Sequence, residues 1–189
     1  MLGHLTVFAA CMFAGKTDAL ITMLENLVKH GGLQVVAFYH VSDVRSGLGT
    51  LTAHTGKIFP AYPVGNAGEI LKKLKELPDY DAIAIDEGQF FSVADDPDLF
   101  EVVRQFLSKG KRVIVAGLDL DFRGRPFGLV PALVVLAMAL RGDVYHLKAV
   151  CSECGDPATM TQRFVDGQPA RYDDPIILAG GVEEGYQAR

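Results

Sequence analysis

The chain has 189 residues, of which 49% are hydrophobic and 22% are charged, and this composition excludes an intrinsically disordered protein. The net charge of −5 comes without a basic stripe, which argues against general binding of nucleic acid. Three cysteines do not indicate a disulfide framework, so we expect a reducing, cytoplasmic location. No apolar run approaches the length needed to cross a bilayer, so we expect no membrane partner.

Short apolar runs alternate with amphipathic segments over the first 150 residues. The runs predict strands and the segments predict helices, an alternation typical of a parallel sheet covered by helices on both faces. In chain order we predict strand Leu5–Ala9, helix Thr17–Lys29, strand Leu33–Tyr39, a loop or hairpin over Ser42–Val64, helix Ala67–Leu77, strand Tyr80–Ile85, helix Asp98–Lys109, strand Arg112–Gly117, helix Pro131–Leu140 and strand Val144–Val150.

The composition changes after Val150, where Gly, Asp and Pro become frequent and β-like pieces such as Pro175–Leu178 are short. This change predicts a small C-terminal lobe. We therefore expect two units, a nucleotide-binding domain over residues 1–149 and a lobe over residues 150–189.

The segment between the first strand and the first helix has the spacing of a phosphate-binding loop, except that Ala10 stands where the first glycine is expected. In such loops backbone N–H groups and a helix N-terminus surround the phosphates. The lysine, here Lys16, neutralises them, and the hydroxyl, here Thr17, holds Mg²⁺. We expect Ala10 to have a negative φ, since a positive one would strain it by about 1 kcal/mol. An ordinary strand–turn–helix is the alternative.

Two carboxylates, Asp86 and Glu87, follow the apolar run Ala82-Ile83-Ala84-Ile85. Ligands of open α/β sheets bind at the carboxyl ends of the strands. An aspartate there commonly completes a Mg²⁺ site, and a second carboxylate could accept a proton from a substrate hydroxyl. The alternative is that both acids only cap the strand and solvate a loop.

Two further segments carry possible ligands. Cys151 and Cys154 have the spacing of half a zinc site, although a chance pair of thiols is as probable on spacing alone. The loop 117–128 contains two arginines and two phenylalanines after a buried strand, and these could contact phosphates and a base.

The ordered set of motifs resembles the thymidine kinase family, specifically the tetrameric type with a P-loop core and a zinc-bearing lasso domain. The resemblance covers nearly the whole chain. Its motifs are Met12-Phe13-Ala14-Gly15-Lys16-Thr17, Asp43-Val44-Arg45, Asp86-Glu87-Gly88-Gln89-Phe90-Phe91, the segment Gly117–Gly128, Cys151-x-x-Cys154, Thr161-Gln162-Arg163, and Gly180-Gly181 followed by Tyr186.

The resemblance implies a RecA-like parallel sheet with a zinc-ribbon-like lasso, and transfer of the γ-phosphoryl of ATP to the 5′-hydroxyl of thymidine, with deoxyuridine as a further substrate. It implies Glu87 as the general base, Thr17 and Asp86 at Mg²⁺, and a homotetramer. It assigns ATP to Met12, Phe13, Ala14, Gly15, Lys16, Thr17, Asp43, Arg45, Asp86 and Gln89, and the nucleoside to Met12, Phe90, Leu118, Phe122, Phe127, Arg163 and Tyr186.

The sequence departs from the family pattern near its end. The family has a second pair of zinc ligands a few residues after the lasso tyrosine, and this sequence ends at Arg189 before such a pair. We therefore expect Cys151 and Cys154 to form a half-site in a truncated lobe. Two other functions stay open at this point, a P-loop ATPase without nucleoside kinase activity and a catalytically silent protein.

Overall fold

A computed structural model of the chain describes residues 2–43, 49–176 and 185–189. The elements run in the order β1 (Leu5–Ala9), α1 (Lys16–Lys29), β2 (Val35–His40), β3 (Thr50–Thr52), β4 (Ile58–Pro60), β5 (Tyr62–Val64), α2 (Ala67–Leu74), β6 (Ala82–Asp86), a 3₁₀ turn (Gly88–Phe90), α3 (Leu99–Ser108), β7 (Arg112–Gly117), α4 (Val130–Ala139), β8 (Asp143–His146), β9 (Ala149–Val150), β10 (Pro157–Ala158), β11 (Thr161–Val165), β12 (Gln168–Pro169) and β13 (Tyr186–Ala188).

Six strands form one central sheet in the order β5-β2-β6-β7-β1-β8, and every neighbouring pair is parallel. Because all strands run the same way, the carboxyl ends of β1, β2, β6 and β7 lie along one edge. The residues that follow these ends are those that the sequence singled out. The predicted parallel α/β sheet with flanking helices is confirmed.

The two faces of the sheet are covered by different helices because side chains alternate along each strand. Ile83 and Ile85 pack with α2, α3 and α4 in the larger core cluster. Ala82 and Ala84 face α1 and the β3–β4 hairpin in a second cluster. The strands therefore read as continuous apolar runs, as expected for strands buried on both faces. Within the described ranges no helix is long and apolar enough to cross a membrane.

The residues after the sheet form small antiparallel pairs. β9 pairs with β10, and β11 lies between β12 and β13. This part packs on the first loop of the core, where Ala149, Ala158 and Ala188 share an apolar cluster with Cys11. The boundary at residues 149/150 and the zinc-ribbon-like character of the lobe remain predictions.

The sequence prediction was wrong about three elements. The single strand predicted over Val144–Val150 is two, since β8 belongs to the sheet and β9 to the lobe. The segment Ser42–Val64 contains the predicted hairpin and also β5, which was missed because edge strands can be short and tolerate a proline such as Pro63. Pro175 and Ile176 are not in a strand, and the rest of that predicted piece, Ile177 and Leu178, lies outside the described residues.

Candidate functional site

The loop between β1 and α1 leaves the first turn of the helix available to an anion. Gly15 is its N-cap with φ 75°, and α1 has no side-chain cap. Phe13 also has a positive φ, 65°, whereas Ala10 does not, which confirms the expectation for that position. Helix N–H groups without a side-chain cap bind anions well, so the loop has the geometry of a phosphate cradle.

Lys16 and Thr17 follow directly. The Lys16 ammonium group donates to the backbone oxygen of Cys11 at 2.7 Å, which holds it against the loop. The Thr17 hydroxyl donates to Oδ2 of Asp86, the last residue of β6, at 2.8 Å. The first loop and the carboxylates after β6 therefore meet, as the sequence predicted from their places in the sheet.

Asp86 and Glu87 are both buried, with 2% and 7% of their surface exposed, which excludes the alternative that they solvate a loop. Burial, and next the charge of Glu87, raise the pKa of Asp86 to about 7, although the hydrogen bond from Thr17 lowers it. Glu87 takes a left-handed backbone conformation, with φ 55° and ψ 42°, between β6 and the 3₁₀ turn. A buried carboxylate that is costly to ionise is suited to a cation, so the donor set of Thr17 and Asp86 fits Mg²⁺.

Asp43 lies near this pair. It is buried, its N–H donates to the backbone oxygen of His40 at 2.9 Å, and its charge contributes to raising the pKa of Asp86. Its predicted companion Arg45, like Val44, lies outside the described residues.

Gln89, which the resemblance assigns to ATP, is hydrogen-bonded at both ends of its side-chain amide. Its side-chain N–H₂ donates to Oε2 of Glu87, and its carbonyl accepts the N–H of Leu118 at 2.9 Å. The side chain is buried, and both ends of its amide are used. The structure thus links Glu87 to the loop after β7.

Aromatic side chains lie beside the carboxylates. Phe90 meets Phe127 edge to face at 6.1 Å between ring centroids, and the ring of His40 lies 5.8 Å from that of Phe90. His40 was not predicted as part of the site, because a single histidine at a strand end gives no sequence signal. Two predicted nucleoside contacts, Phe90 and Phe127, are thus brought together.

A second group joins the loop 117–128 to the lobe. The Arg163 guanidinium lies 5.8 Å from the ring of Phe122, and Arg163 pairs in register with Tyr186 on β13. Arg163 donates to the backbone oxygen of Pro175, and among the described residues no acceptor meets its buried Nε. Three more predicted nucleoside contacts, Phe122, Arg163 and Tyr186, therefore lie together. The Arg163 Nε is a buried donor without a partner among the described residues. Gly180 and Gly181 lie outside the described residues.

The lobe also contacts the phosphate loop directly. The hydroxyl of Thr161 accepts the N–H of Met12 at 3.0 Å, and the Cys11 thiol donates to the backbone oxygen of Ala158 at 3.5 Å. Burial raises the pKa of this thiol. Thr161 belongs to a recognised motif, but only the tertiary structure connects it with Met12.

Cys151 and Cys154 are free thiols, half-buried and exposed respectively. Across the described ranges no group of three or more His, Cys, Asp or Glu side chains is arranged to hold a metal ion. Two thiols are two of the four ligands that a closed zinc site needs, so the described residues do not form one.

Comparisons with known proteins identify the family of the chain. The family model described as thymidine kinase matches residues 3–189. A curated thymidine kinase of Coprothermobacter proteolyticus is 46% identical over 187 residues, which cover 99% of this chain and 88% of the relative. The chain therefore belongs to the thymidine kinase family, which confirms the resemblance drawn from its motifs.

Two solved structures are more distant. A DNA replication initiation factor is 15% identical, with a TM-score of 0.44 over 76% of this chain and 40% of the other. The cytoplasmic domain of the type VII secretion ATPase EccC from Thermomonospora curvata is 12% identical, with a TM-score of 0.45 over 99% of this chain and 23% of the other.

Proposed function

We propose that this chain transfers the γ-phosphoryl group of ATP to the 5′-hydroxyl of thymidine, and of deoxyuridine, giving the nucleoside monophosphate and ADP. The observation that carries the proposal is the buried Glu87 beside the Thr17–Asp86 pair, at the loop that opens α1. The family membership supports this kinase activity and does not favour an ATPase without a nucleoside substrate.

ATP would lie with its phosphates on the first loop. The backbone from Phe13 to Gly15 and the first turn of α1 would supply N–H donors, and Lys16 would supply charge. Asp43 and Arg45 would complete the site around the phosphates. The Thr17 hydroxyl and Asp86 would hold Mg²⁺, which would supply positive charge to the phosphates.

Glu87 would act as the general base. A carboxylate within hydrogen-bond reach of the 5′-hydroxyl accepts its proton as the oxygen attacks the γ-phosphorus. The neighbouring aromatic pair, Phe90 and Phe127, supports a place for the base and sugar beside Glu87. The remaining nucleoside contacts would come from Met12, Leu118, Phe122, Arg163 and Tyr186. The Nε of Arg163, which meets no acceptor among the described residues, supports a polar contact there.

The test is phosphorylation of labelled thymidine with ATP and Mg²⁺ by the wild type and by Glu87→Gln. We expect the variant to lose about 10²- to 10⁴-fold in kcat, the usual contribution of a general base. Glu76→Gln, at a glutamate exposed on the surface and paired with Lys73, is the matched control and should keep full activity. Full activity of Glu87→Gln would contradict the assignment of the base.

Three further proposals concern the molecule as a whole. We propose a homotetramer, supported by the apolar outward face of α4, where Val135 and Met138 are exposed.

We propose that Cys151 and Cys154 contribute half of a structural zinc site, for which their spacing is the support. We propose a cytoplasmic location, in keeping with three cysteines that are all free.

A further inference from the structure

We propose that Gln89 is a positioning residue, which holds the carboxylate of Glu87 in the orientation that proton transfer from the substrate hydroxyl requires. This inference rests on the proposed function, because it assigns Gln89 a role through the general base. It replaces the phosphate contact that the family resemblance implies for this position.

The first support is the pair of hydrogen bonds made by one planar amide. Its N–H₂ donates to Oε2 of Glu87, and its carbonyl accepts the N–H of Leu118 at 2.9 Å. Gln89 thus connects the end of β6 with the loop that follows β7. Since only 3% of its surface is exposed, a phosphate could reach the amide only by displacing both partners.

The second support is the close packing around the Gln89 turn, which glycines make possible. A Cβ at Gly117 would lie 2.7 Å from Oε1 of Gln89, and a Cβ at Gly128 would overlap the backbone oxygen of Gln89. Gly88 itself lies against Val115, where a Cβ would approach to 2.9 Å. Gly117 and Gly128 therefore let the neighbouring backbone approach Gln89 closely, and Gly88 lets the turn itself pack on β7, so the turn has little freedom to move.

The amide suits the task chemically. A glutamine donates and accepts at once, so it can hold a carboxylate on one side and a backbone N–H on the other without adding charge. Glu87 itself lies between β6 and the 3₁₀ turn, with a left-handed backbone of φ 55°, so no regular hydrogen-bonded element fixes its side chain. A second hydrogen bond that restrains the carboxylate keeps the base in place, and a displacement of about 1 Å can cost about 10²-fold in rate.

The experiment compares kcat and KM for thymidine and ATP in the wild type, Gln89→Met and Gln89→Glu. Met removes both hydrogen bonds at similar volume. Glu keeps an acceptor for the Leu118 N–H but turns the amide donor into a second carboxylate facing Glu87, so this variant serves where Gln89→Met fails to fold. We expect about 10- to 100-fold lower kcat in both, with both KM values within about twofold of wild type. Gln105→Met, at an exposed position on α3, is the matched control.

A double-mutant cycle separates positioning from a structural role. If Gln89 acts through Glu87, then Gln89→Met should lower the residual single-turnover rate of Glu87→Ala by less than about twofold. An equal fractional loss in both backgrounds would overturn the proposal, and so would wild-type kcat in both Gln89 variants. An increase in the KM for ATP with unchanged kcat would return Gln89 to the phosphate site.

These outcomes also separate this inference from the proposed function. Full activity of Glu87→Ala would show that the base is misassigned. An inactive Glu87→Ala together with fully active Gln89 variants would remove only the role given to Gln89.

Discussion

Three residues with left-handed backbone lie in the two loops that meet at the candidate site, and two of them are not glycines. Phe13 and Gly15 belong to the phosphate loop, and Glu87 follows β6. A non-glycine residue in this region costs of order 1–3 kcal/mol and persists only where its surroundings hold it. At Glu87 the hydrogen bond from Gln89 is one such restraint. The strain therefore lies where side chains must be aimed at a substrate.

Gly15→Ala tests whether the left-handed backbone of the phosphate loop is needed for ATP binding. No described atom lies within 4 Å of a Cβ built there, so the cost is conformational, about 1–2 kcal/mol of the free energy of unfolding. Because the strain also shifts the N–H groups that would face phosphate, we expect a severalfold higher KM for ATP. Gly32→Ala is the matched control, because Gly32 lies beyond the other end of α1, has φ 65° and has equally open space around it. This variant should lose a similar amount of free energy of unfolding and keep the wild-type KM for ATP. Equal KM values in both variants would contradict the prediction.

At the scale of elements, β2 is joined to the 3₁₀ turn and to the strand β5 through one histidine. The ring of His40 accepts the N–H of Ser42 on Nδ1 and lies 3.1 Å, through Nε2, from the oxygen of Gly65. Phe91 meets it edge to face. A neutral ring with its proton on Nε2 satisfies both hydrogen bonds, so protonation of Nδ1 would break one of them.

This junction predicts a pH dependence of stability. Burial lowers the pKa of His40 below its ordinary 6.5, although the hydrogen bond to Gly65 and the charges of Asp95, Glu69 and Glu87 act to raise it. As the pH falls, the unfolded chain therefore binds a proton on His40 before the folded chain does. The stability that neutral His40 contributes is complete above about pH 6.5 and decreases as the pH falls towards the folded pKa.

The measurement is the difference in free energy of unfolding between the wild type and His40→Gln, from about pH 8 to about pH 5. We expect that difference to shrink below about pH 6.5. The exposed His30→Gln is the matched control for a substitution of the same kind. A difference at His40 that stays constant over the whole range would refute the prediction.

At the scale of the whole molecule, α4 has apolar side chains on both its faces. Leu133 and Ala137 pack on the sheet, while Val135 and Met138 point outward with 67% and 66% of their surface exposed. Helices that are apolar all round are usually buried, and a second copy of the chain would bury this one.

Met138→Glu tests this assembly. A buried, unpaired charge on the outward face should reduce a tetramer to smaller species in light scattering of the eluting protein, with little change in the stability of each chain. Val93→Glu, at a loop valine with 67% exposure, should leave the mass unchanged. A tetrameric Met138→Glu protein would show that this face of α4 is not an interface.

The sequence by itself determined the parallel sheet, the phosphate loop and the two carboxylates, because each depends on local patterns. Apolar runs predict buried strands, Gly15-Lys16-Thr17 follows the first of them, and Asp86-Glu87 follows another. Since parallel strands end at one edge of a sheet, the sequence predicts Thr17 and Asp86 at the same edge, and the structure joins them by a hydrogen bond.

Only the tertiary structure decided how the site is held together. The amide of Gln89 between Glu87 and Leu118, the hydroxyl of Thr161 on Met12 and the ring of His40 against Phe90 join residues far apart in the chain or use ordinary polar groups. Such contacts have no periodicity and no fixed spacing. They depend on the close approach of packed loops, which a linear pattern does not contain.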